Sequence, residues 1–393
     1  MKVALVTDGI WPYAIGGMQR HSYGLCKHLA QLGVSVDLYY TVKNKDVSPD
    51  LSSVFTATES ENIKPYFVSY PTGLYFPGHY MWKSYQYSKL IYEQLNIRLD
   101  QYDIVYIQGF SGWYLLKSKM RSGRTSPPCI VNLHGLEMFQ QSSSFKSRLE
   151  QYLFKPFARA QLRMADYVQS LGGVLTDILL SIGIRRSRIL ECPNAVEKKW
   201  LSEQNNFPHS PRSFAFIGRY ETRKGLDQLN IVLRKLIAEN ADFEMHLIGP
   251  IPAAHHVKDD RIFYYGQLIN ENEIKNILDK VDFLVVPSSA EGMPTVVLEA
   301  MARCCAIIAN NVGAISEMVC DENGILMGNR NVQVLYDSMM LGLNMAETDL
   351  GKMKSASRRK VEERFLWEKV VTDMKLIFTR LNPNSTLAVC STE

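Results

Sequence analysis

The stretch 283-FLVVPSSAEGMPTVVLEAMA-302 decides how the chain is read. Phe283–Val286 is an apolar run of strand length, ended by a proline and two serines. From Thr295 apolar residues recur at helical spacing, so a helix starts there. Glu291 lies in the loop between the two, and Glu299 sits one turn inside the helix. A strand that feeds a helix through a short polar loop is half of a βαβ unit. Such units build parallel sheets covered by helices on both faces.

The same alternation continues on either side. Strands are predicted over 214–217, 243–248, 262–265 and 306–309, and helices over 226–239, 270–280 and 295–303. Before them the polar stretch 201-LSEQNNFPHSPR-212 reads as a linker or the entry to this unit. The first half repeats the pattern. KVALVTDG (2–9) is a strand ending in a polar turn, Gly16-Gly17 follow in a loop, and a helix over 18–32 stops at Gly33. Further strands are predicted over 34–40, 102–107, 129–133 and 167–170, and a last helix over 366–381 precedes a polar tail. Two α/β units are expected, with a ligand cleft between them at the carboxyl ends of their strands.

Size and composition agree. A chain of 393 residues exceeds what one core fills, and 46% hydrophobic residues is too many for disorder. The seven cysteines (Cys26, Cys129, Cys192, Cys304, Cys305, Cys320 and Cys390) contain no C-x-x-C pair, which leaves out zinc knuckles and redox motifs and fits a reducing compartment. The start of the chain lacks the apolar region of a signal peptide, and no run reaches spanning length. A cytoplasmic location is expected, with attachment to the inner face of a membrane left open.

The net charge of +4 hides an asymmetry. Residues 1–200 carry 23 Lys+Arg and 15 Asp+Glu, and the rest carry 21 and 25. Lys117 to Arg124 (KSKMRSGR) holds four positive charges and no acid. Residues 145–163 (FKSRLEQYLFKPFARAQLR) hold five basic residues and one acid, interleaved with Phe145, Leu149, Leu153, Phe154, Phe157 and Leu162. Pro156 is expected to break or restart the helix there. Two readings stand: a solvated helix with its apolar side on the core, or an interfacial segment on anionic lipid. Basic patches without a recognisable module give no support for nucleic-acid binding.

Several positions carry chemistry. Gly16-Gly17 read either as a turn or as a loop that lets a phosphate approach the backbone. The loop lacks G-x-G-x-x-G spacing, which argues against a dinucleotide-binding dehydrogenase. Arg219 and Lys224, in FIGRYETRKGLD, are either solvated or able to hold a diphosphate and neutralise it as it departs. The amides of Gly292, Met293, Pro294, Thr295 and Val296 could meet phosphate oxygens at a helix terminus, or Thr295 could be only an N-cap. Glu299 can accept from two hydroxyls, as a ribose offers. His134 ends the 129–133 strand, facing the cleft, whereas His21 and His28 read as packing or surface residues. With no Asp-x-Asp and no H-E-x-x-H, a protein-held divalent metal is not expected.

Taken in order, GGMQRH (16–21), NLHG (132–135), PNAVE (193–197), GRYETRKG (218–225) and EGMPTVVLEAMA (291–302) resemble the retaining nucleotide-sugar glycosyltransferases of family four. The resemblance covers nearly the whole chain. It implies a GT-B fold: two Rossmann-like domains facing a cleft, with acceptor binding in 1–199, donor binding in 200–365, and a helix over 366–382 packing back on the first domain. It implies that Gly16 and Gly17 lie near the donor phosphate and acceptor, and that His134 contacts the transferred sugar. Arg219 and Lys224 would bind the diphosphate, Glu291 the donor-sugar hydroxyls, with Gly292 to Val296 shaping that loop, and Glu299 the ribose. No cofactor beyond the nucleotide-sugar co-substrate is implied. The implied reaction moves a hexose or N-acetylhexosamine, from a UDP-sugar by preference, to a hydroxyl of a glycan or lipid-linked acceptor. A GT-B-like nucleotide-sugar epimerase and a non-catalytic nucleotide-sugar binder are the alternatives. The chain departs from the family at Ala195, Glu197, Met293-Pro294 and Arg223, the last adding charge near the phosphates.

Overall fold

The computed structural model describes residues 1–14, 16–42, 51, 53–73, 78–123, 126–141, 145–203 and 208–382. The side chains of Phe145, Lys146 and Ser147, together with Arg124, part of the 201–212 stretch and Cys390, lie outside the described residues.

Two all-parallel sheets organise the chain. The first holds β1 (Lys2–Val6), β2 (Ser35–Tyr40), β3 (Ile63–Phe67), β4 (Ile104–Gln108), β5 (Cys129–Asn132), β6 (Tyr167–Ser170) and β7 (Ile189–Glu191), in the order β3-β2-β1-β4-β5-β6-β7. The second holds β8 (Arg212–Ile217), β9 (Phe243–Ile248), β10 (Ile262–Gly266), β11 (Phe283–Val286), β12 (Ala306–Asn310) and β13 (Gly324–Met327), in the order β10-β9-β8-β11-β12-β13. In each sheet the chain winds outward one way and then the other, so the order reverses beside β1/β4 and beside β8/β11. Loops diverge at such a switch point and leave a crevice outside the carboxyl ends. β4, β5, β11 and β12 are buried along their whole length, which explains why they read as continuous apolar runs without alternation.

Four helices matter for the site: α1 (Gly17–Gln31), α2 (Phe145–Met164), α3 (Thr295–Ala302) and α4 (Trp367–Leu381). α4 buries Trp367, Val370, Val371, Met374 and Phe378 in one apolar cluster with Val3 and Leu5 of β1 and Leu25 and Leu29 of α1. The C-terminal helix therefore packs on the first sheet's layer. Gly24 permits the approach, because a Cβ there would stand 2.4 Å from Trp367 Cζ2. A parallel bridge pairs Val196 with Leu366 where the chain crosses back.

One expectation about α2 fails. Pro156 neither ends nor restarts the helix, which runs unbroken over Phe145–Met164. Pro removes one intrahelical bond, to the carbonyl of Tyr152. Both Tyr152 and Pro156 are exposed, so water can take that carbonyl. The helix divides its apolar residues: Ala158 and Leu162 are buried, while Leu149, Leu153 and Phe157 are exposed and Tyr152 is 74% exposed. Among the described residues no helix is long and apolar enough to cross a membrane.

Candidate active site

A cavity of about 1300 Å³ opens between the two sheets, at the carboxyl ends of β1, β4 and β5 on one side and β8 and β11 on the other. Every position singled out in the sequence lines it: Gly16, Gly17, His134, Arg219, Lys224, Glu291, Gly292, Met293, Pro294, Thr295, Val296 and Glu299. Each follows a strand end, so the topology gathers residues that are hundreds of positions apart.

The second domain supplies two acids and their counter-ions. Lys224 donates to Glu291 Oε1 at 2.7 Å, and both side chains are largely buried. Glu299, on α3, is 5% exposed and receives Arg20 Nη1 at 3.2 Å from across the cleft. Burial pushes the Glu299 carboxyl up to about 7, and Arg20 offsets part of that. Arg219 stands at the rim, 70% exposed and paired with Glu221 at 3.0 Å. Arg223 does not leave an added charge unmet: its guanidinium lies 2.9 Å from Glu221, 3.6 Å from Glu137 and 3.8 Å from Glu291.

The loop ahead of α3 is held by its surroundings. The N-cap of α3 is Pro294, with no side-chain cap, so Thr295 is the first helical residue and not a cap. Pro294 has no N–H, so it contributes no donor to the stretch Gly292 to Val296. The helix terminus faces the cavity with no acid in its first turn. Gly313, at φ 59°, lies under the loop, where a Cβ would come within 2.3 Å of the Glu291 and Gly292 carbonyls. Met293 is buried. Its carbonyl accepts from Asn194 Nδ2 at 2.7 Å, and its sulfur accepts from the backbone N–H of Asn194 at 3.1 Å.

The first domain closes on this loop. Gln140 Nε2 donates to the carbonyls of Gly135 and Glu291, joining the two sides. His134 sits at φ 59°, its N–H donating to Asn132 Oδ1 at 2.8 Å. Its ring Nε2 meets Gln108 Oε1 at 2.5 Å, and burial, then His21, holds its pKa well below the usual histidine range. His21 is buried, as a packing residue would be, and its ring lies 5.0 Å from that of His134. Arg20, Gln108, Gln140 and Asn194 were not singled out from sequence. Arg20 sits inside GGMQRH and Asn194 inside PNAVE, so those motifs carried a signal for both.

Residues 15–200 match the family described as Glycosyltransferase Family 4, and residues 211–344 match that described as Glycosyl transferases group 1. The chain belongs to the GT-B glycosyltransferases. An uncharacterized glycosyltransferase of Methanocaldococcus jannaschii is 26% identical over 390 residues, 97% of this chain and 99% of that one. A putative teichuronic acid biosynthesis glycosyltransferase of Bacillus subtilis is 26% identical over 54% of each chain. The solved structure of Anabaena HepE in complex with UDP-glucose superposes with a TM-score of 0.66 at 14% identity, over 96% of this chain and 99% of that one. This glycosyltransferase therefore presents its cavity where two Rossmann-like domains face each other. Among the described residues no group of three or more His, Cys, Asp or Glu converges as metal ligands would.

Proposed function

We propose that this glycosyltransferase retains configuration and moves a hexose or N-acetylhexosamine from a UDP-sugar to a hydroxyl of a glycan or lipid-linked acceptor. The observation that carries the reading is the pairing of two buried carboxylates with cations inside one cleft: Glu291 with Lys224, and Glu299 with Arg20. Lys224 and Arg219 meet the diphosphate and stabilise it as leaving group without a bound metal. The open N-terminus of α3 adds its dipole. Glu291 accepts from hydroxyls of the donor sugar, Glu299 from those of the ribose, and Gly16 and Gly17 leave room for phosphate and acceptor.

Glu291 is a positioning group: it accepts from donor-sugar hydroxyls and does not form a covalent intermediate at the anomeric carbon, as a double displacement would need. The acceptor hydroxyl attacks from the face the nucleotide leaves. Its oxygen bonds to the anomeric carbon, the bond to the phosphate oxygen breaks, and the departing phosphate takes the proton. The UDP-glucose complex of Anabaena HepE supports the choice of nucleotide, and the teichuronic acid relative that of a glycan acceptor.

The acceptor side of the cleft lies beside the exposed face of α2, where Leu149, Tyr152, Leu153 and Phe157 alternate with Arg148, Lys155, Arg159 and Arg163. Phe154 and Tyr80 line the cavity itself. An anionic membrane surface is the partner this face fits. A panel of UDP- and GDP-sugars, assayed by nucleotide release with lipid-linked acceptors, free-sugar acceptors or none, tests the whole reading. Release that needs an acceptor and yields an axial product from an axial donor is expected. An altered nucleotide sugar formed from donor alone would replace the transferase reading with an epimerase.

A further inference from the structure

Gln108 ends β4, directly across the ladder from Asn132, in a position with no exposed surface. Its amide is shared between two rings. The Nε2 end meets His21 Nδ1 at 2.9 Å and the Oε1 end meets His134 Nε2 at 2.5 Å. A carbonyl oxygen can only accept, so His134 must carry its proton on Nε2. An NH2 group can only donate, so His21 Nδ1 must be the bare nitrogen. One amide thereby sets both tautomers.

Packing alone gives no reason for His21. Its ring is 2% exposed, and its Nε2, left with the proton, has no hydrogen-bond partner. An orphaned buried donor is destabilising. The ring is nevertheless held on several sides: edge-on against His134 at 5.0 Å, and 5.5 Å from Trp367, which α4 carries in past Gly24. The backbone N–H of His134 donates to Asn132 Oδ1, while Asn132 Nδ2 donates to the Tyr106 hydroxyl at 3.1 Å. The backbone is thus fixed at Asn132, and the ring by Gln108 and His21.

We propose that Gln108 is a positioning residue for transfer: it fixes His134 as the Nε2–H tautomer, leaving Nδ1 as the lone pair that accepts from a hydroxyl of the donor sugar. The inference rests on the reading of His134 as a donor-sugar contact. The chain of contact runs from the C-terminal helix through Trp367, His21 and Gln108 to the ring in the cleft.

Selective 15N-histidine NMR of the full-length protein tests this without a ligand. The wild type should show His134 protonated at Nε2, and Gln108→Met should move it to a mixture of tautomers. With UDP-glucose as donor, Q108M should lose roughly 10-fold in kcat, the equivalent of one buried hydrogen bond, with a smaller change in donor KM. His21→Phe should lose less, because the carbonyl stays near His134. A wild-type His134 protonated at Nδ1, or a Q108M variant with wild-type spectrum and kcat, would overturn the proposal. His134→Ala separates the two levels. An inactive H134A beside a normal Q108M sinks Gln108 alone, whereas a fully active H134A sinks the donor-contact reading beneath it.

Discussion

Replacing Glu299 by glutamine should change the protein's response to pH in two separable ways. Burial raises this carboxyl to about 7 from an ordinary value near 4.5. Between those values the folded chain keeps a proton that the unfolded chain has released. The folded state is thus favoured below about 4.5, and the advantage is lost as pH rises through about 7. Glu299 is almost wholly buried, so solvent screening takes little from the effect. Urea unfolding at pH 5 and pH 8 should show the wild type losing roughly 2.5 kcal/mol more than E299Q. Arg20→Met should push the window higher still, since Arg20 is what lowers the carboxyl. Binding gives the second response. A ribose needs the ionised acid as a double acceptor, so UDP affinity should tighten about tenfold from pH 6 to pH 8 in the wild type relative to E299Q. The ratio cancels titration of the nucleotide's own phosphate. Calorimetry at both pH values reads it directly. If both proteins lose stability in parallel, the burial argument is wrong. If E299Q binds UDP like the wild type at pH 8, Glu299 does not hold the ribose.

Glu291→Ala and Lys224→Ala should each abolish transfer while the fold survives, at a loss of roughly 3 kcal/mol each from leaving one buried partner unpaired; near-normal turnover in either refutes their placement at the donor. Gly24→Ala puts a methyl group 2.4 Å from Trp367 and should destabilise by about 1–3 kcal/mol. The read-out is loss of hydrogen-exchange protection along α4, and an unchanged Tm would show that the helix shifts freely. The wild type should pellet with anionic liposomes, and Leu149→Ser combined with Leu153→Ser and Phe157→Ser should release it. Equal pelleting without liposomes, or no response to the triple change, removes the membrane surface.

The strands that frame the site were legible because they are buried on both faces, so β4, β5, β11 and β12 stand out as unbroken apolar runs. The edge strands β3 and β7 were not. β3, with Ile63 buried but Lys64 and Pro65 exposed, and the three-residue β7 lack that signature. Glu291, Lys224 and Glu299 could be picked out because each follows a strand within one local strand–loop–helix passage. Their partners could not, because Arg20 meets Glu299 across 279 residues and Gln140 meets Glu291 across 151. Local spacing says nothing of such pairs. Pro156 misled for a related reason: its effect on α2 depends on whether water reaches the Tyr152 carbonyl, and exposure is set by the tertiary structure. The contact of His21 with Gln108 could not be read, because a helical position does not show that its ring leans towards the end of a strand 87 residues away.

The two carboxylates of the cleft already hold the chain's own cations. A visiting molecule must therefore exchange partners with the protein. With the proposed roles, a free hexose brings hydroxyls for Glu291 but no anion to replace the carboxylate that Lys224 gives up. A nucleotide sugar brings both halves of the trade, hydroxyls for the acids and phosphate oxygens for the cations. On the proposed function, the cleft selects a ligand that carries both groups, since sugar alone or phosphate alone satisfies only one half of the exchange.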